Sequence, residues 1–261
     1  MRKAIVAVGL ALALVTAACS SSSSSTSAGT SNTQLTVFAA SSLTKAFTQI
    51  GQDYHTANPD VTVTFSFGSS TDLASQIQSE GTADVFASAS GTAMDTVAGN
   101  PGVTDQTNFA TNHLVIITPP DDPASIGSIQ DLTKPDVKLV LAAEGVPVGD
   151  YAREALDNAG ISKEALANVV SNEEDDASVV AKITSGDADA AIVYTSDIAA
   201  AGDSVRSVEI PNAVNVVATY PIAAVTGSAY PDQATSFVDY VAGAEGQAVL
   251  KRYGFGPPPS G

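Results

Sequence analysis

Two segments end an apolar run in small hydroxyl residues and then open a helical pattern. They are Phe38-Ala39-Ala40-Ser41-Ser42-Leu43 and Phe67-Gly68-Ser69-Ser70-Thr71-Asp72-Leu73. A helix N-terminus offers unpaired backbone N–H groups and a partial positive charge. A serine there adds a hydroxyl, and small neighbours let an anion come close, so an anion site forms without any Lys or Arg. Gly145-Val146-Pro147-Val148-Gly149-Asp150-Tyr151 is a third such place, a turn opening a helix over 151–158. Asp175-Asp176-Ala177-Ser178 is a fourth, opening a helix over 178–183. Tyr194 ends the apolar strand AAIVY and reads by default as a half-buried aromatic with its hydroxyl at the edge. Taken singly, these Ser and Asp residues are ordinary N-caps. Taken together they lie at strand ends of an open α/β sheet, which is where such sheets bind ligands.

Other chemistries lack their residues. No Gly-x-Ser-x-Gly occurs, and His55 and His113 stand far apart with no setting for a catalytic triad or a zinc site. The formal charge is −17, which argues against nucleic acid as a partner. Apolar residues make up 44% of the 261, enough for a globular protein with room for two lobes.

The elements that must hold these residues alternate. Leu35–Ala40, Val61–Phe67, Ala83–Ala87, Leu114–Thr118, Val137–Ala142 and Ala190–Tyr194 read as strands, with helices over 42–55 and 71–78. This is an α/β pattern, a mostly parallel sheet covered by helices. His113–Pro119 and Val214–Val225 read as crossings between lobes, with Pro221 marking a break or an edge. A final helix of about two dozen residues should run from Pro231 to Gly254, ahead of a proline tail. Residues 34–113 and 221–256 are then one discontinuous lobe, 114–220 the other, and 257–261 a tail.

The N-terminus carries its own chemistry. Arg2 and Lys3 precede an apolar run, Ala4–Val15, and then Thr16-Ala17-Ala18-Cys19 and a polyserine stretch. Cys19 is the only cysteine. The pattern is that of a bacterial lipoprotein signal, 1–18, cleaved ahead of an acylated Cys19, with 19–33 as a Ser-rich tether. The apolar run is shorter than the roughly 20 residues of a membrane span. Cleavage would leave 9 basic and 28 acidic residues, a charge of −19.

TVFAASSLTKAF, FGSSTDLASQI, GTADVFASAS, GVPVGDYAREAL, DADAAIVYTSD and KRYGF resemble, in order and spacing, the periplasmic molybdate-binding proteins of ABC transporters. The resemblance covers about Gln34 to Gly256. It implies a two-lobed periplasmic-binding-protein fold, each lobe a mostly parallel sheet flanked by helices, with two crossover strands as hinge. It implies an extracytoplasmic binder, not an enzyme, that hands molybdate or tungstate to a membrane permease. Such a protein would be a monomer, would need no cofactor and would touch the membrane through lipid at Cys19. Ser42 and Ser70 would supply hydroxyls and amides from the first lobe, Val148 and Asp176 backbone N–H groups from the second, and Tyr194 its phenol. All five would reach the oxo groups of the anion, and none would ligate a metal atom. The chain departs from the family's pattern in placing a carboxylate at Asp176, which must point away from the anion if the pocket is made of donors only.

A donor-only pocket suits an oxyanion that is fully deprotonated near neutral pH, whereas phosphate keeps a proton part of the time and wants an acceptor. Sulfate or another small anion is the alternative ligand, since the same fold serves many solutes.

Overall fold

Residues 32–259 are described by a computed structural model. The expected signal peptide, Cys19 and most of the expected tether lie outside the described residues. β1 (Thr33–Ala40) runs into a short 3-10 turn, Ser41–Leu43, and then α1 (Thr44–Ala57). Ala46, Phe47, Ile50 and Tyr54 give α1 one buried face at helical spacing. β2 (Val61–Gly68), α2 (Ser70–Glu80), β3 (Val85–Ala87) and α3 (Gly91–Gly99) follow. β1 lies parallel to both β2 and β3, with Ala40 beside Gly68 and Ala39 beside Ala87. This register brings the C-terminal ends of three strands level, so the residues after them share one edge of the sheet.

β4 (Val103–Thr118) is much longer than the expected crossing at 113–119 and serves both halves of the sheet. Its first part pairs antiparallel with β9 (Val217–Val225), and Leu114–Ile117 pair antiparallel with β7 (Ala190–Tyr194). β5 (Leu139–Ala142) lies parallel to β6 (Val169–Glu173) and β7. α4 (Pro147–Asn158), α5 (Ser162–Leu166), α6 (Asp176–Thr184) and α7 (Thr195–Ala201) connect and cover these strands, and β8 (Arg206–Glu209) pairs with β4. The strand order is β2-β1-β3-β9-β4-β7-β5-β6. Parallel pairing thus holds in the two outer groups of three, and antiparallel pairing joins them in the middle.

Two expectations about local structure need correction. Pro221 neither breaks its strand nor lies at an edge: β9 continues through it between β3 and β4. The missing proline N–H is accommodated in the neighbour instead, where β4 shifts register between Asn108 and Ala110 opposite Pro221. The C-terminal helix is two helices, α8 (Pro231–Ala242) and α9 (Ala244–Arg252), not one. Gly243 is extended at ψ 177°, and a Cβ on Gly246 would sit 2.4 Å from the Val241 carbonyl oxygen. The Gly243/Gly246 pair therefore permits a tight corner where Ala or Ser would have continued the helix.

Beyond α9, Gly256 exchanges backbone hydrogen bonds with Thr111 of β4, so the chain end returns to the strand shared by both halves. An aromatic series runs through the interior: Phe47 to Phe109 at 5.8 Å between centroids, Phe109 to Tyr220 at 6.2 Å, and Tyr220 to Tyr194 at 5.9 Å. The first contact is tilted and the other two are edge-on, arrangements that fix ring orientation. They anchor Tyr194 from the α1 side of the molecule.

Candidate anion-binding site

The level strand ends deliver four helix starts to one pocket. Ser41 and Ser42 follow β1, Ser69 and Ser70 follow β2, Val146–Val148 follow β5, and Asp176 follows β6; Tyr194 ends β7. Ser42, Ser70, Val148, Asp176 and Tyr194, separated by as many as 152 positions, all line it. Its cavity volume is about 10 Å³. That is far below the roughly 300–1,000 Å³ of sites for drug-sized ligands, so the walls suit at most a solute of few atoms. No Lys or Arg contributes to the lining.

The backbone supplies donors in a predictable way. In α2 the first helical bond is from the Leu73 N–H to the Ser69 carbonyl, so the amides of Ser70 to Asp72 precede the ladder. In α4 the ladder starts with the Asp150 N–H, and Pro147 has no N–H, which leaves the amides of Val148 and Gly149 as the first free donors. A Cβ on Gly149 would lie 2.3 Å from the Ala143 carbonyl oxygen, so only glycine lets this helix start press onto the end of β5. In α6 the Asp175 side chain accepts from the Ser178 N–H at 2.8 Å, an N-cap in the ordinary sense. The amides of Asp176 and Ala177 stay ahead of the ladder.

The hydroxyls are aimed by what stands behind them. Ser70 Oγ accepts from the Ala89 N–H at 2.9 Å, leaving its own proton for the pocket. Ser42 Oγ meets Tyr220 Oη at 3.0 Å. The Asn112 amide N–H₂ points at Tyr220 Oη (3.4 Å) and Ser196 Oγ (2.8 Å), because its carbonyl oxygen accepts from Thr195 Oγ1–H at 2.7 Å and from the His113 N–H. Tyr220 thus accepts from Asn112 and donates to Ser42, and the Ser42 proton turns into the pocket. Burial pushes the Tyr194 and Tyr220 phenols well above their usual range, Tyr194 also through Tyr220 beside it. Both remain neutral donors at physiological pH.

Among the described residues, three buried side-chain polar atoms lack a partner: Ser69 Oγ, Tyr194 Oη and Asp176 Oδ2. All three residues line this pocket. Buried hydroxyls without a partner are uncommon in proteins and mark a place where another molecule completes the bonding.

Asp176 is the residue whose side chain departs from the simplest expectation. Its carboxyl does not turn out to solvent; the residue is 3% exposed, and Oδ1 accepts from Ser41 Oγ. Asp197 of α7 lies within hydrogen-bonding reach of it and takes the Tyr194 N–H at 2.9 Å. Burial pushes both carboxyls above the usual carboxylate range, and the Asp176 charge pushes Asp197 further.

Sequence reasoning passed over Ser41, Ser69, Ala89, Tyr220 and Asp197. Ser41 and Ser69 are the first members of Ser-Ser doublets, where spacing alone cannot say which hydroxyl faces inward. Asp197 stands three residues after Tyr194, the spacing of an acid that caps a helix start, and this signal was readable. Tyr220 had no local signal, since β9 and the start of α1 meet only through the fold.

Direct bonds also join early and late segments on either side of the pocket. Thr71 Oγ1 donates to the Gly145 carbonyl at 2.6 Å, and Lys45 Nζ to the Ala200 carbonyl at 2.6 Å. With the Ser41–Asp176 bond, these hold the two walls against each other.

Known proteins share this architecture. The molybdate-binding protein ModA of Mycobacterium tuberculosis is 40% identical over 230 residues, covering 86% of this chain and 85% of that protein. The substrate-binding domain of a putative molybdenum ABC transporter from Clostridium difficile superposes with a TM-score of 0.68 at 28% identity, over 87% of this chain and all of that one. The periplasmic molybdate-binding protein of Azotobacter vinelandii has the same fold, with a TM-score of 0.76 at 18% identity, over 86% of this chain and all of that one. The family profile of bacterial extracellular solute-binding proteins matches residues 35–256, and this chain belongs to that family.

Proposed function

We propose that this protein binds molybdate, and tungstate with it, in the pocket between two lobes outside the cytoplasmic membrane and delivers it to an ABC-transporter permease. The observation that carries the reading is the convergence of free helix-start amides and partnerless buried hydroxyls on a small pocket without a cation. Ser42, Ser70 and Tyr194 are the hydroxyl donors, and Val148 and Asp176 give backbone N–H groups. Ser69 joins them. The name of the mycobacterial relative supports the choice of anion. Residues 34–113 with 221–256 form the first lobe and 114–220 the second, and the anion favours the closed form because only there do both sets of donors reach it.

Hydrogen bonds to a charged group contribute about 1.5–3 kcal/mol each, so six or seven give a gross gain of roughly 10–20 kcal/mol. Lost anion hydration and lobe ordering offset much of this. A net of about −8 to −12 kcal/mol corresponds to roughly micromolar to nanomolar affinity. The acidic surface slows approach, but salt screens it beyond about 8–10 Å and short-range dipoles decide binding.

Calorimetric titration with molybdate, tungstate, sulfate and phosphate tests the reading. Molybdate and tungstate should bind alike, sulfate much more weakly, and each bound anion should stabilise the fold by about 2.7 kcal/mol at 100 times its dissociation constant. Sulfate binding as tight as molybdate would replace molybdate by the alternative, a sulfate-binding protein of the same family.

The protein is anchored to the membrane by lipid at Cys19 after cleavage of residues 1–18, and it acts as a monomer. Cys19→Ala should release the protein into the soluble fraction or leave the signal uncleaved. Unchanged membrane retention of that variant would rule the anchor out.

A further inference from the structure

We infer that the buried carboxyl pair Asp176–Asp197 couples anion binding to protons: the pair takes up about one proton as a dianion enters the pocket. This rests on the anion-binding reading and deepens it.

The two carboxyls are placed where a second negative charge is hardest to hold. Asp176 lines the pocket and is 3% exposed; its Oδ1 accepts the Ser41 hydroxyl, and its Oδ2 has no partner among the described residues. Asp197, 5% exposed, takes the Tyr194 N–H and lies within hydrogen-bonding reach of Asp176. Two carboxylates in such contact repel unless a proton lies between them. No salt bridge found among the described residues reaches either carboxyl.

The titratable and charged groups around the pair do not replace that proton. Asp175, the cap of α6, adds negative charge. The phenols of Tyr194, Tyr220 and Tyr151 are neutral. Lys45 of α1 is the basic side chain in the lining of the adjoining cavity, and its ammonium donates to the Ala200 carbonyl. Asp197 also borders that adjoining cavity, about 220 Å³ in volume and lined in part by Ser41, Ser42 and Lys45. It is roomy enough for water and presents Ser41, Ser42, Lys45 and Asp197 in an otherwise largely apolar lining, so protons reach Asp197 without crossing the anion pocket.

The sign follows from charge. Burial already holds both carboxyls above the ordinary range, so the pair keeps a proton where an isolated carboxyl has lost it. An entering dianion raises their proton affinity again. Binding is then tightest at low pH and weakens as pH rises through the range in which the empty pocket's pair loses its proton, by up to about tenfold per pH unit. The opposite possibility is that ionised Asp176 accepts a hydrogen bond from an anion that keeps its own proton, which would favour phosphate.

The test is calorimetry of the full chain with molybdate from about pH 6 to 9, in buffers matched in pH but differing in ionisation enthalpy. Uptake of about one proton per anion, with affinity falling as pH rises, is the expected result. The Asp176→Asn/Asp197→Asn double variant keeps acceptors for Ser41 and the Tyr194 N–H, and in it both the uptake and the pH slope should vanish. If that variant does not fold, the proton count of the unaltered protein decides alone. Molybdate binding without proton uptake and with pH-independent affinity overturns the coupling while leaving the anion site standing. Preference for phosphate over molybdate overturns it in favour of an acceptor carboxylate. No binding of any of the four oxyanions removes the anion site, and the coupling with it.

Discussion

Gly149→Ala should lower molybdate affinity by about two to four orders of magnitude. The added methyl would fall 2.3 Å from the Ala143 carbonyl oxygen and 2.5 Å from that of Ala142. Both are backbone atoms at the end of β5, so no side chain can swing aside to make room. The start of α4 must lift, and the amides of Val148 and Gly149 lift with it. Two charge-assisted hydrogen bonds at about 1.5–3 kcal/mol each are then lost or lengthened, which is about 3–6 kcal/mol of binding free energy. Overpacking should also destabilise the empty protein by about 1–3 kcal/mol. Calorimetric affinity read beside the apo melting temperature separates the two effects. Wild-type affinity in a variant that has visibly lost stability would show that the α4 amides do not hold the anion.

The same glycine shows what could be read before the fold was known. The GVPVGDY turn announced a helix start, since Pro147 at the first helical position and small neighbours are local signals. The need for glycine at 149 is a contact with the end of β5, an element seven residues away in sequence that approaches only when α4 docks. That Ser42, Ser70, Val148, Asp176 and Tyr194 line one pocket was legible because each stands at the junction of a strand and a helix, and such junctions collect on one edge of an α/β sheet. Tyr220 was not, because it lies inside β9 and reaches Ser42 across 178 positions. The parallel outer strands announced themselves as short apolar runs; the length of β4 did not. Its first half, Val103–Ala110, is mostly exposed at polar residues up to Asn108, so no apolar run marked it. The corner at Gly243 was hidden because Ala, Glu and Gln around it are good helix formers that gave no warning of the turn.

Tyr194→Phe should weaken molybdate binding by about 10- to 150-fold while leaving the empty protein as stable as before, or slightly more stable. The phenol oxygen is buried without a partner among the described residues, so in the empty pocket it contributes burial cost and no bond. Phenylalanine keeps the ring, and with it the 5.9 Å packing on Tyr220 that holds this end of β7 in place. Removing a buried hydroxyl that has no partner relieves a penalty of that state. In the proposed bound state the same hydroxyl would donate to a doubly charged oxygen cluster in a small, largely dry pocket. A bond of that kind is worth about 1.5–3 kcal/mol, and its loss appears wholly in affinity. A structural tyrosine would behave in the reverse way, losing melting temperature with little change in binding. Differential scanning calorimetry of the apo variant and a molybdate titration under the same conditions therefore decide between the two roles. A drop in apo melting temperature with unchanged affinity would take Tyr194 out of the anion site. A loss of affinity at constant melting temperature would fix its phenol as the donor that β7 contributes.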